Sequence, residues 1–243
     1  MKISIITTTY NSASTIKDTL ESVNSQNYSI IEHIIVDGGS KDNTLDLIER
    51  YGKRVSTVIS EPDKGIYDAM NKGIKAATGD VIGILNSDDF FTSDNIIETV
   101  VDNFKNHNID VHFVNPDDIS KSVRYYSSAI FKPSLFRFGF MPAHPSFYMK
   151  RDLYEKYGLY SLDYKIASDY DLLIRYLHKE KIKYKYINKD FVTMRTGGVS
   201  TENLNSIVTL NKEIVRACKK YGIYTNMFIL CFKYLYKLFE LRK

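Results

Sequence analysis

The sequence contains no tryptophan and only two cysteines in 243 residues, and it lacks a long apolar run. Cys218 and Cys231 show neither the paired spacing of a zinc site nor that of a disulfide framework, so we expect a reduced compartment. No stretch approaches the roughly 18 apolar residues of a membrane-spanning helix. Because the N-terminus also shows no signal-peptide pattern, the sequence favours a cytoplasmic location.

A strong excess of charge of either sign is also missing. The formal net charge is +4 and the pI is about 8.8, which is too mild to indicate a nucleic-acid partner. Hydrophobic residues make up 44% of the chain, enough for a sizeable core. A length of 243 residues fits one large domain, and no linker or internal repeat divides it.

Short apolar runs alternate with amphipathic helical patterns through the first part of the chain. Each run ends at a cluster of glycine, proline or small polar residues. This repeated spacing predicts a parallel sheet with helical crossovers, and hence an α/β fold. The predicted strands cover residues 3–7, 30–36, 55–60, 81–85 and 111–114, and the last of them follows a helix that begins after Asp94.

The pattern changes after Asn115. Prolines, aromatic residues and short alternating runs over 116–148 predict irregular structure with a small antiparallel patch. The tail over 221–243 is basic, aromatic and helical in its spacing. The other predicted elements are helices over 151–157, 169–178 and 202–221, and strands over 183–187 and 191–194.

Aspartates follow three of the predicted strands, at Asp37, at Asp63 and at the adjacent pair Asp88 and Asp89. The carboxyl ends of parallel strands lie along one edge of a sheet, so these side chains are expected to converge there. Adjacent carboxylates repel each other and favour a counter-ion, and their hard oxygen atoms suit Mg²⁺ or Mn²⁺. The alternative is that each aspartate only caps its own turn.

Six segments, in this order and spacing, resemble the family 2 glycosyltransferases of the GT-A fold. They are 5–11, 36–44, 61–73, 85–89, 144–147 and 167–175. The resemblance implies a Rossmann-like, mainly parallel sheet flanked by helices, with a smaller acceptor-side region and a helical C-terminal tail. It divides the chain into a nucleotide-sugar-binding half (1–115), an acceptor-binding and catalytic half of the same domain (116–200), and C-terminal helices (201–243).

The resemblance also implies a nucleotide-sugar donor, which we expect to be a UDP-sugar. A carboxylate suits nucleoside binding because it accepts a hydrogen bond from the uracil N3–H or from a ribose hydroxyl. Lys64 is the candidate partner of the diphosphate, and Asn86 is a candidate partner of the ribose. The residues expected to hold the base and the ribose are Thr8, Thr9, Tyr10, Asp37 and Asp63.

The segment 86–89 matches the DxD-type motif, which in the family holds a divalent cation between the donor phosphates. Asn86 stands where many members have aspartate, and an amide is not a charged ligand. Asp88 and Asp89 are therefore the expected ligands of Mn²⁺ or Mg²⁺, and the sequence leaves open which of them binds directly. Arg195, just before a glycine-containing loop, is either a further diphosphate partner or an ordinary surface arginine.

Transfer of a sugar requires a base that activates the acceptor hydroxyl. The resemblance implies Asp169 for this role, in a place where the family commonly has a Glu-Asp pair and this chain has Ser168 before the aspartate. Direct attack opposite the leaving diphosphate would invert the anomeric configuration. Asp171 is the alternative base, and the alternative role for Asp169 is that of an N-cap carboxylate.

Two side chains and the tail leave alternatives open. His144 either lines the donor or acceptor site or forms a backbone hydrogen bond. Arg175 is expected to form a structural salt bridge with a carboxylate. The tail 221–243 is expected to lie peripherally on the inner face of the cell membrane, to pack on the domain, or to form a homodimer contact.

The expected acceptor is a hydroxyl of a glycan or of a polyprenyl-diphosphate-linked sugar, as in the assembly of bacterial O-antigen, capsule or exopolysaccharide. A sugar nucleotidyltransferase is the first alternative, but it needs a glycine-rich, basic loop after the first strand, where this chain has Thr8, Thr9 and Tyr10. A NAD-binding enzyme would need GxGxxG at the same place. A catalytically silent carbohydrate-binding module is the second alternative, and the joint presence of Asp37, Asp88 and Asp169 argues against it.

Overall fold

The computed structural model describes residues 1–107, 111–116, 128–195 and 204–240. The strands within these ranges are β1 (Ile3–Thr9), β2 (Ile31–Asp37), β3 (Val55–Ser60), β4 (Val81–Ile84), β5 (Phe90–Phe91), β6 (Val111–Pro116), β7 (Phe147–Lys150) and β8 (Tyr184–Thr193). The helices are α1 (Ile16–Asn24), α2 (Thr44–Tyr51), α3 (Ile66–Ala76), α4 (Ile96–Asn106), α5 (Arg151–Tyr157), α6 (Ser168–Leu173), α7 (Leu204–Lys220) and α8 (Met227–Glu240). Short 3₁₀ turns cover Pro133–Phe138 and His144–Ser146, and a π-helical segment, Ile174–Lys179, continues α6.

The strands form one sheet in the order β3-β2-β1-β4-β7-β6-β8-β5. Strands β3, β2, β1 and β4 pair in parallel, which confirms the predicted α/β architecture. Beyond β4 the sheet becomes mixed, because β7 is antiparallel to both of its neighbours. Strand β7 begins at the end of the region 116–148 in which an antiparallel patch is predicted, and the alternating run at 123–126 lies outside the described residues.

The prediction of two strands near the end of the sheet is wrong. The predicted strands over 183–187 and 191–194 are a single strand, β8, whose middle contains Asn188, Lys189 and Asp190. This polar stretch has the composition of a turn, but its pairing with β6 shifts register there, and such an irregularity keeps a polar segment within a strand. The Lys189 ammonium also lies 2.8 Å from Oδ1 of Asn95, at the start of α4.

The two faces of the sheet pack against different helices because strand side chains alternate between faces. Ile3 and Ile5 of β1 pack with the apolar face of α4, whereas Ile6 packs with α3. The approach of α3 to the sheet depends on Gly73, where an added Cβ would lie 2.4 Å from Cγ2 of Ile6. This tight contact fixes the position of the loop between β3 and α3, which carries Asp63.

A buried polar network closes the sheet at the end opposite the aspartates. The Glu32 carboxylate accepts hydrogen bonds from the Lys2 ammonium at 2.6 Å and from the Ser4 hydroxyl at 2.5 Å. It also accepts bonds from the Thr78 backbone at 2.8 Å and hydroxyl at 2.7 Å. Burial raises the pKa of Glu32, but these hydrogen bonds outweigh the effect and lower the pKa to about 2.

Replacing Glu32 by glutamine is expected to lower the free energy of unfolding at pH 7 by ~3 kcal/mol. The reason is that the depressed pKa makes the ionised carboxylate stabilising above its unfolded pKa, and this contribution is lost as pH falls towards 2. Urea unfolding at pH 7 and pH 3 measures both effects. The matched control is Glu155→Gln, which breaks the exposed pair with Arg151 and should change stability by less than about 0.5 kcal/mol. Equal losses in the two variants would contradict the assignment.

Helix α8 packs on the domain through one face. Leu230 is buried, the Phe232 ring contacts the Phe138 ring edge-on at 6.3 Å, and the Lys233 ammonium lies 2.6 Å from Oδ1 of Asn211 on α7. Phe228 is 75% exposed on the outer side. In the described part of the chain, every helix is too short or too polar to cross a bilayer.

Candidate active site

The loop that follows β1 is tied to the loops that follow β2 and β4. The Asn11 backbone N–H donates to the Ser40 hydroxyl, and the Lys41 backbone N–H donates to the Asn11 side chain, both at 2.8 Å. The Ser12 and Ser87 hydroxyls lie 2.8 Å apart. Asn11 has a φ of 49°, a left-handed conformation that asparagine tolerates better than most residues. Three loops at the carboxyl edge of the sheet are therefore held as one unit.

Tyr10, Gly38 and Asp63 meet at this edge from three different loops. A Cβ added at Gly38 would lie 2.7 Å from Oδ2 of Asp63 and 3.4 Å from Cδ2 of Tyr10, so glycine allows the close approach. Oδ1 of Asp63 accepts a hydrogen bond from the Gly65 backbone at 2.7 Å. The Tyr10 ring is 61% exposed. An exposed aromatic face beside a carboxylate is suited to stacking a base and accepting a hydrogen bond from it.

Asp37 is fully buried at the end of β2. Its carboxylate accepts hydrogen bonds from the Ser60 hydroxyl at 2.7 Å, from the Gly39 backbone at 3.1 Å and from the Ser40 backbone at 3.0 Å. The Ser40 hydroxyl also donates to it. These contacts shape the loop that contains Gly38, and a direct contact of Asp37 with a nucleoside stays a prediction.

The threonines at the end of β1 are buried beside the same loops. The Thr8 hydroxyl donates to Oδ1 of Asn86 at 3.4 Å. The Thr9 hydroxyl finds no hydrogen-bond partner within the described residues. A buried polar atom of this kind is usually satisfied by a ligand or by water. The Lys64 side chain is exposed, and its backbone N–H donates to Asp68 at 3.0 Å.

Asp88 and Asp89 differ in their environments. Asp89 is 2% exposed and accepts a hydrogen bond from the Asn86 amide at 3.2 Å, whereas Asp88 is half-buried. Burial, together with repulsion by Asp88, raises the pKa of Asp89 to about 8. The Thr19 hydroxyl on α1 holds the loop by donating to the Asp89 carbonyl at 2.7 Å.

This pair has the chemistry of a partial divalent-cation site. A cation would offset both the burial of Asp89 and its repulsion by Asp88, and carboxylate oxygens are the ligands that Mg²⁺ and Mn²⁺ prefer. Across the residues that the structure describes, no three acidic, histidine or cysteine side chains converge on one point. Oxygen atoms of water or of a bound diphosphate would therefore have to complete the coordination.

Arg195 lies against the loop that carries these carboxylates. It follows β8, and its guanidinium donates to the Asp88 carbonyl at 3.0 Å and lies 5.1 Å from the centre of the Phe90 ring. It also pairs with the Asp18 carboxylate on α1, a partner that the sequence analysis does not identify. Its predicted contact with a diphosphate stays untested, and the glycine loop over 196–200 lies outside the described residues.

Asp169 lies in the first turn of α6, and its environment suits a base. Burial raises the pKa of Asp169 to about 6. Hydrogen bonds from the Tyr170 backbone at 2.7 Å and from the Tyr67 hydroxyl at 3.4 Å act in the opposite direction and lower this pKa. Tyr67 stands on α3, directly after the Asp63 loop, and the sequence analysis assigns it no role. The N-cap position is occupied by Ala167, so the alternative role of Asp169 as an N-cap is wrong.

Asp171, the alternative base, and Arg175, the predicted salt-bridge residue, both bind structural partners instead. Asp171 is 0% exposed, with its carboxylate 2.9 Å from the Lys220 ammonium, so the alternative base is buried against α7. Arg175 donates to the Leu159 carbonyl at 2.6 Å and, within the described residues, pairs with no carboxylate. The predicted salt bridge of Arg175 is therefore wrong, because a backbone carbonyl takes the place of a carboxylate as its partner.

His144 is part of a tyrosine cluster next to Asp169. Its Nε2 lies 2.6 Å from the Tyr160 hydroxyl, and burial lowers the pKa of His144 to about 4, so the imidazole is neutral at pH 7. The Tyr160 and Tyr67 rings stack at 5.7 Å. The hydrogen-bond partner of His144 is thus a side chain rather than the backbone, and the cluster packs against the Tyr67 ring through Tyr160.

The family model described as "Glycosyl transferase family 2" matches residues 4–171. The chain belongs to this family. Membership sets aside the nucleotidyltransferase alternative, and the matched segment contains the Asp37, Asp63, Asp88 and Asp169 positions.

Two curated relatives of this family 2 glycosyltransferase are mycobacterial proteins. One is the PGL/p-HBAD biosynthesis glycosyltransferase of Mycobacterium bovis, 28% identical over 189 residues, or 76% of this chain and 73% of the relative. Another is an uncharacterised glycosyltransferase of Mycobacterium tuberculosis, 32% identical over 178 residues, or 71% of this chain and 68% of the relative.

Solved structures share the fold. S. aureus TarS 1–349 in complex with UDP-GlcNAc superposes with a TM-score of 0.69 at 18% identity, over 98% of this chain and 73% of that one. The longer TarS chain gives a TM-score of 0.68 at 20% identity, and the match covers 88% of this chain but only 40% of TarS. The mannosyltransferase PcManGT from Pyrobaculum calidifontis, in complex with GDP-Man and Mn²⁺, gives a TM-score of 0.67 at 17% identity. The match covers 88% of this chain and 64% of that one.

Proposed function

We propose that this glycosyltransferase moves a sugar from a UDP-sugar to a hydroxyl of a glycan or lipid-linked acceptor, with inversion, in the assembly of a bacterial surface polysaccharide. The observation that carries the proposal is the contact between Asp169 and Tyr67. Tyr67 lies in the first turn of α3, the helix that follows the Asp63 loop, so this contact joins a carboxylate with a raised pKa to the element directly after that loop.

The donor would lie across the carboxyl edge of β1, β2 and β4. The exposed Tyr10 ring and the Asp63 carboxylate supply a stacking surface and an acceptor for a nucleoside. Thr9 offers an unpartnered hydroxyl close to Asp37, its pairing neighbour on β2. Structural neighbours were solved with UDP-GlcNAc and with GDP-Man, which makes these two donors the first to compare.

A divalent cation fits the acidic pair of the β4 loop. Asp88 and Asp89 would hold it, with Lys64 and Arg195 as further positive charges toward the diphosphate. When bound, the cation acts as a Lewis acid that stabilises the departing diphosphate.

Asp169 would act on the acceptor. One carboxylate oxygen takes the proton of the acceptor hydroxyl while the hydroxyl oxygen attacks the anomeric carbon. The bond from this carbon to the diphosphate breaks on the opposite face. A pKa of about 6 leaves the carboxylate ionised at pH 7 and above, yet more basic than an ordinary aspartate. The configuration at the anomeric carbon is inverted in this single displacement.

The second half of the chain, 116–200, would bind the acceptor, and the helices over 201–243 would rest on the inner membrane face. Exposed aromatic side chains on and before α8, at Tyr224 and Phe228, support this placement, because aromatic residues favour the membrane interface.

The proposed function is tested with a panel of nucleotide-sugars in the presence and absence of Mn²⁺. We expect metal-dependent release of UDP from one UDP-sugar, together with a rise in melting temperature when UDP and Mn²⁺ are added, since a ligand of the native state raises stability. Binding of a sugar ligand without any turnover across the panel would favour the silent carbohydrate-binding module. Turnover of GDP-sugars alone would contradict the choice of UDP.

Replacing Gly38 by alanine is expected to weaken UDP binding on the order of 10-fold while changing stability by less than about 1 kcal/mol. The added Cβ would lie 2.7 Å from Oδ2 of Asp63, so that carboxylate must move, and a side-chain end moves at little cost. Titration calorimetry with UDP measures the loss. The control is a double-mutant cycle with Asp63→Ala: if the glycine acts through Asp63, the second substitution adds nothing further. Fully additive losses would show that Gly38 acts in another way.

A further inference from the structure

Helix α7 contacts the turn that precedes the candidate base. The Glu213 carboxylate accepts three backbone hydrogen bonds, from Lys165 at 2.8 Å and from Ile166 and Ala167 at 2.9 Å. These three residues lead directly into α6, whose first turn contains Asp169. Hydrogen bonds to an ionised carboxylate are about twice as strong as those between neutral groups, so this contact fixes the backbone of the turn.

A second side chain of α7 contacts α6 further along. The Lys220 ammonium lies 2.9 Å from Oδ1 of the buried Asp171 carboxylate. Glu213 and Lys220 are two helical turns apart, so both side chains lie on the same face of α7. One face of α7 therefore contacts the chain on both sides of Asp169, at the turn over 165–167 and at Asp171.

The opposite side of the turn is held by α3. The Tyr67 hydroxyl donates to the Ile166 carbonyl and also reaches Asp169 at 3.4 Å. Ile166 thus has its N–H bound to Glu213 and its carbonyl bound to Tyr67. The turn before Asp169 is therefore held by one contact from α3 and one from α7.

We propose that Glu213 is a positioning residue for Asp169, so that α7 is part of the catalytic unit. Helix α7 lies beyond the segment that the family model matches, which ends at residue 171. The inference rests on the proposed function, because it gives Asp169 the role of base. Glu213 acts through the backbone of the turn and does not touch the reacting atoms in this arrangement.

The consequence for catalysis follows from geometry. Without the carboxylate, three backbone N–H groups lose their acceptor, and the turn is free to move relative to the donor site. A displacement of about 1 Å in a catalytic group costs on the order of 100-fold in rate. Donor binding should be spared, since the loops that follow β1, β2 and β4 are held by hydrogen bonds to one another.

The charge of Glu213 gives a second readout. The titratable groups whose charges bear on Asp169 are Tyr67 from α3, Tyr160 from the segment before α6, and Glu213 from α7. The tyrosines are neutral up to high pH because burial raises their pKa, so Glu213 is the charged member of this set. Its negative charge raises the pKa of Asp169, and its removal should shift the acid limb of the rate profile to lower pH.

The test compares Glu213→Ala, Glu213→Gln and the control Lys212→Ala, whose side chain is exposed on the same helix. With the most active donor of the panel and Mn²⁺, we expect kcat of Glu213→Ala to fall on the order of 100-fold and the donor KM to stay within about two-fold. Glu213→Gln keeps the size of the side chain and should show a smaller fall with the acid limb moved down. Lys212→Ala should match the wild type.

Hydrogen exchange gives a readout that does not require turnover. In Glu213→Ala the amides of residues 165–167 should exchange faster, while those of β1 and β2 keep their protection. Unchanged exchange there, or wild-type kcat in a folded variant, would overturn the proposal, as would a parallel loss of UDP affinity and kcat. If the alanine variant does not fold, Glu213→Gln decides by the same criteria. Wild-type protein that binds UDP without turnover would instead refute the proposed function, and the catalytic positioning with it.

Discussion

Replacing Asp169 by asparagine is expected to reduce sugar transfer about 10²- to 10⁴-fold while UDP binding stays unchanged. The amide has almost the same shape as the carboxylate and can keep the hydrogen bonds from the Tyr170 backbone and the Tyr67 hydroxyl. It cannot accept a proton from the acceptor, so only the chemical step should suffer. Steady-state kinetics with the active donor, combined with calorimetric titration of UDP, separates the two effects.

The same residue sets the acid limb of the rate profile. Because the base must be ionised, kcat of the wild type should fall as pH drops below about 6, well above the usual range of aspartate. The raised pKa has the opposite effect on stability: activity falls as pH drops, whereas the stabilising contribution of Asp169 falls as pH rises. The contribution of Asp169 to stability is fully present below its unfolded pKa of about 3.9 and is lost as pH rises through 6, so the asparagine variant should be at least as stable as the wild type at pH 8.

The control for this substitution is Asp163→Asn, which changes an exposed aspartate six residues earlier. Its kinetics should match those of the wild type. Turnover of the Asp169 variant within about three-fold of the wild type would refute its role as base. A large fall in UDP affinity would assign Asp169 to donor binding instead.

Replacing Asp88 or Asp89 by asparagine is expected to abolish the rise in melting temperature that UDP and Mn²⁺ produce together, and to lower kcat/KM on the order of 10³-fold. Each substitution removes an oxygen ligand from a pair on which, within the described part of the chain, no third acidic, histidine or cysteine side chain converges to hold a metal. The fold itself should tolerate the change, because it relieves the repulsion between two adjacent carboxylates. Thermal shift measured with UDP alone, Mn²⁺ alone and both together resolves the metal-dependent part.

The two single variants also show which carboxylate is the direct ligand. If a substitution removes the thermal shift produced by Mn²⁺ without UDP, that residue is the direct ligand. If it removes only the shift produced by UDP and Mn²⁺ together, the residue has an indirect role. Asp94→Asn, an exposed change in the same segment, serves as the control and should leave every shift intact. A full UDP–Mn²⁺ shift in both active-site variants would exclude the acidic pair as the metal site.

The parallel part of the sheet follows from the sequence because its signals are local. Each strand of β1 to β4 is a short apolar run with a polar stop, and the aspartates after these strands fall on the sheet edge that parallel pairing dictates. The approach of Asp63 to Gly38 shows that the convergence extends to atomic contact at that point. Family motifs then supply candidate roles that periodicity alone does not provide.

The second half depends on contacts that no local pattern contains. Arg195 pairs with Asp18, 177 residues away in the chain, so neither residue indicates the other in sequence. Asp171 and Asp169 are two residues apart in α6, yet one is buried against Lys220 while the other faces Tyr67. The neighbouring helices decide these directions. Glu213 gives only a weak sequence signal, its spacing of two helical turns from Lys220.

The exposed ring of Tyr10 has a practical consequence in a chain that contains no tryptophan. An indole introduced at this position would be the sole long-wavelength fluorophore of the protein. Because it would stand beside Gly38 and Asp63, its emission would report in real time on occupancy of the proposed nucleoside site.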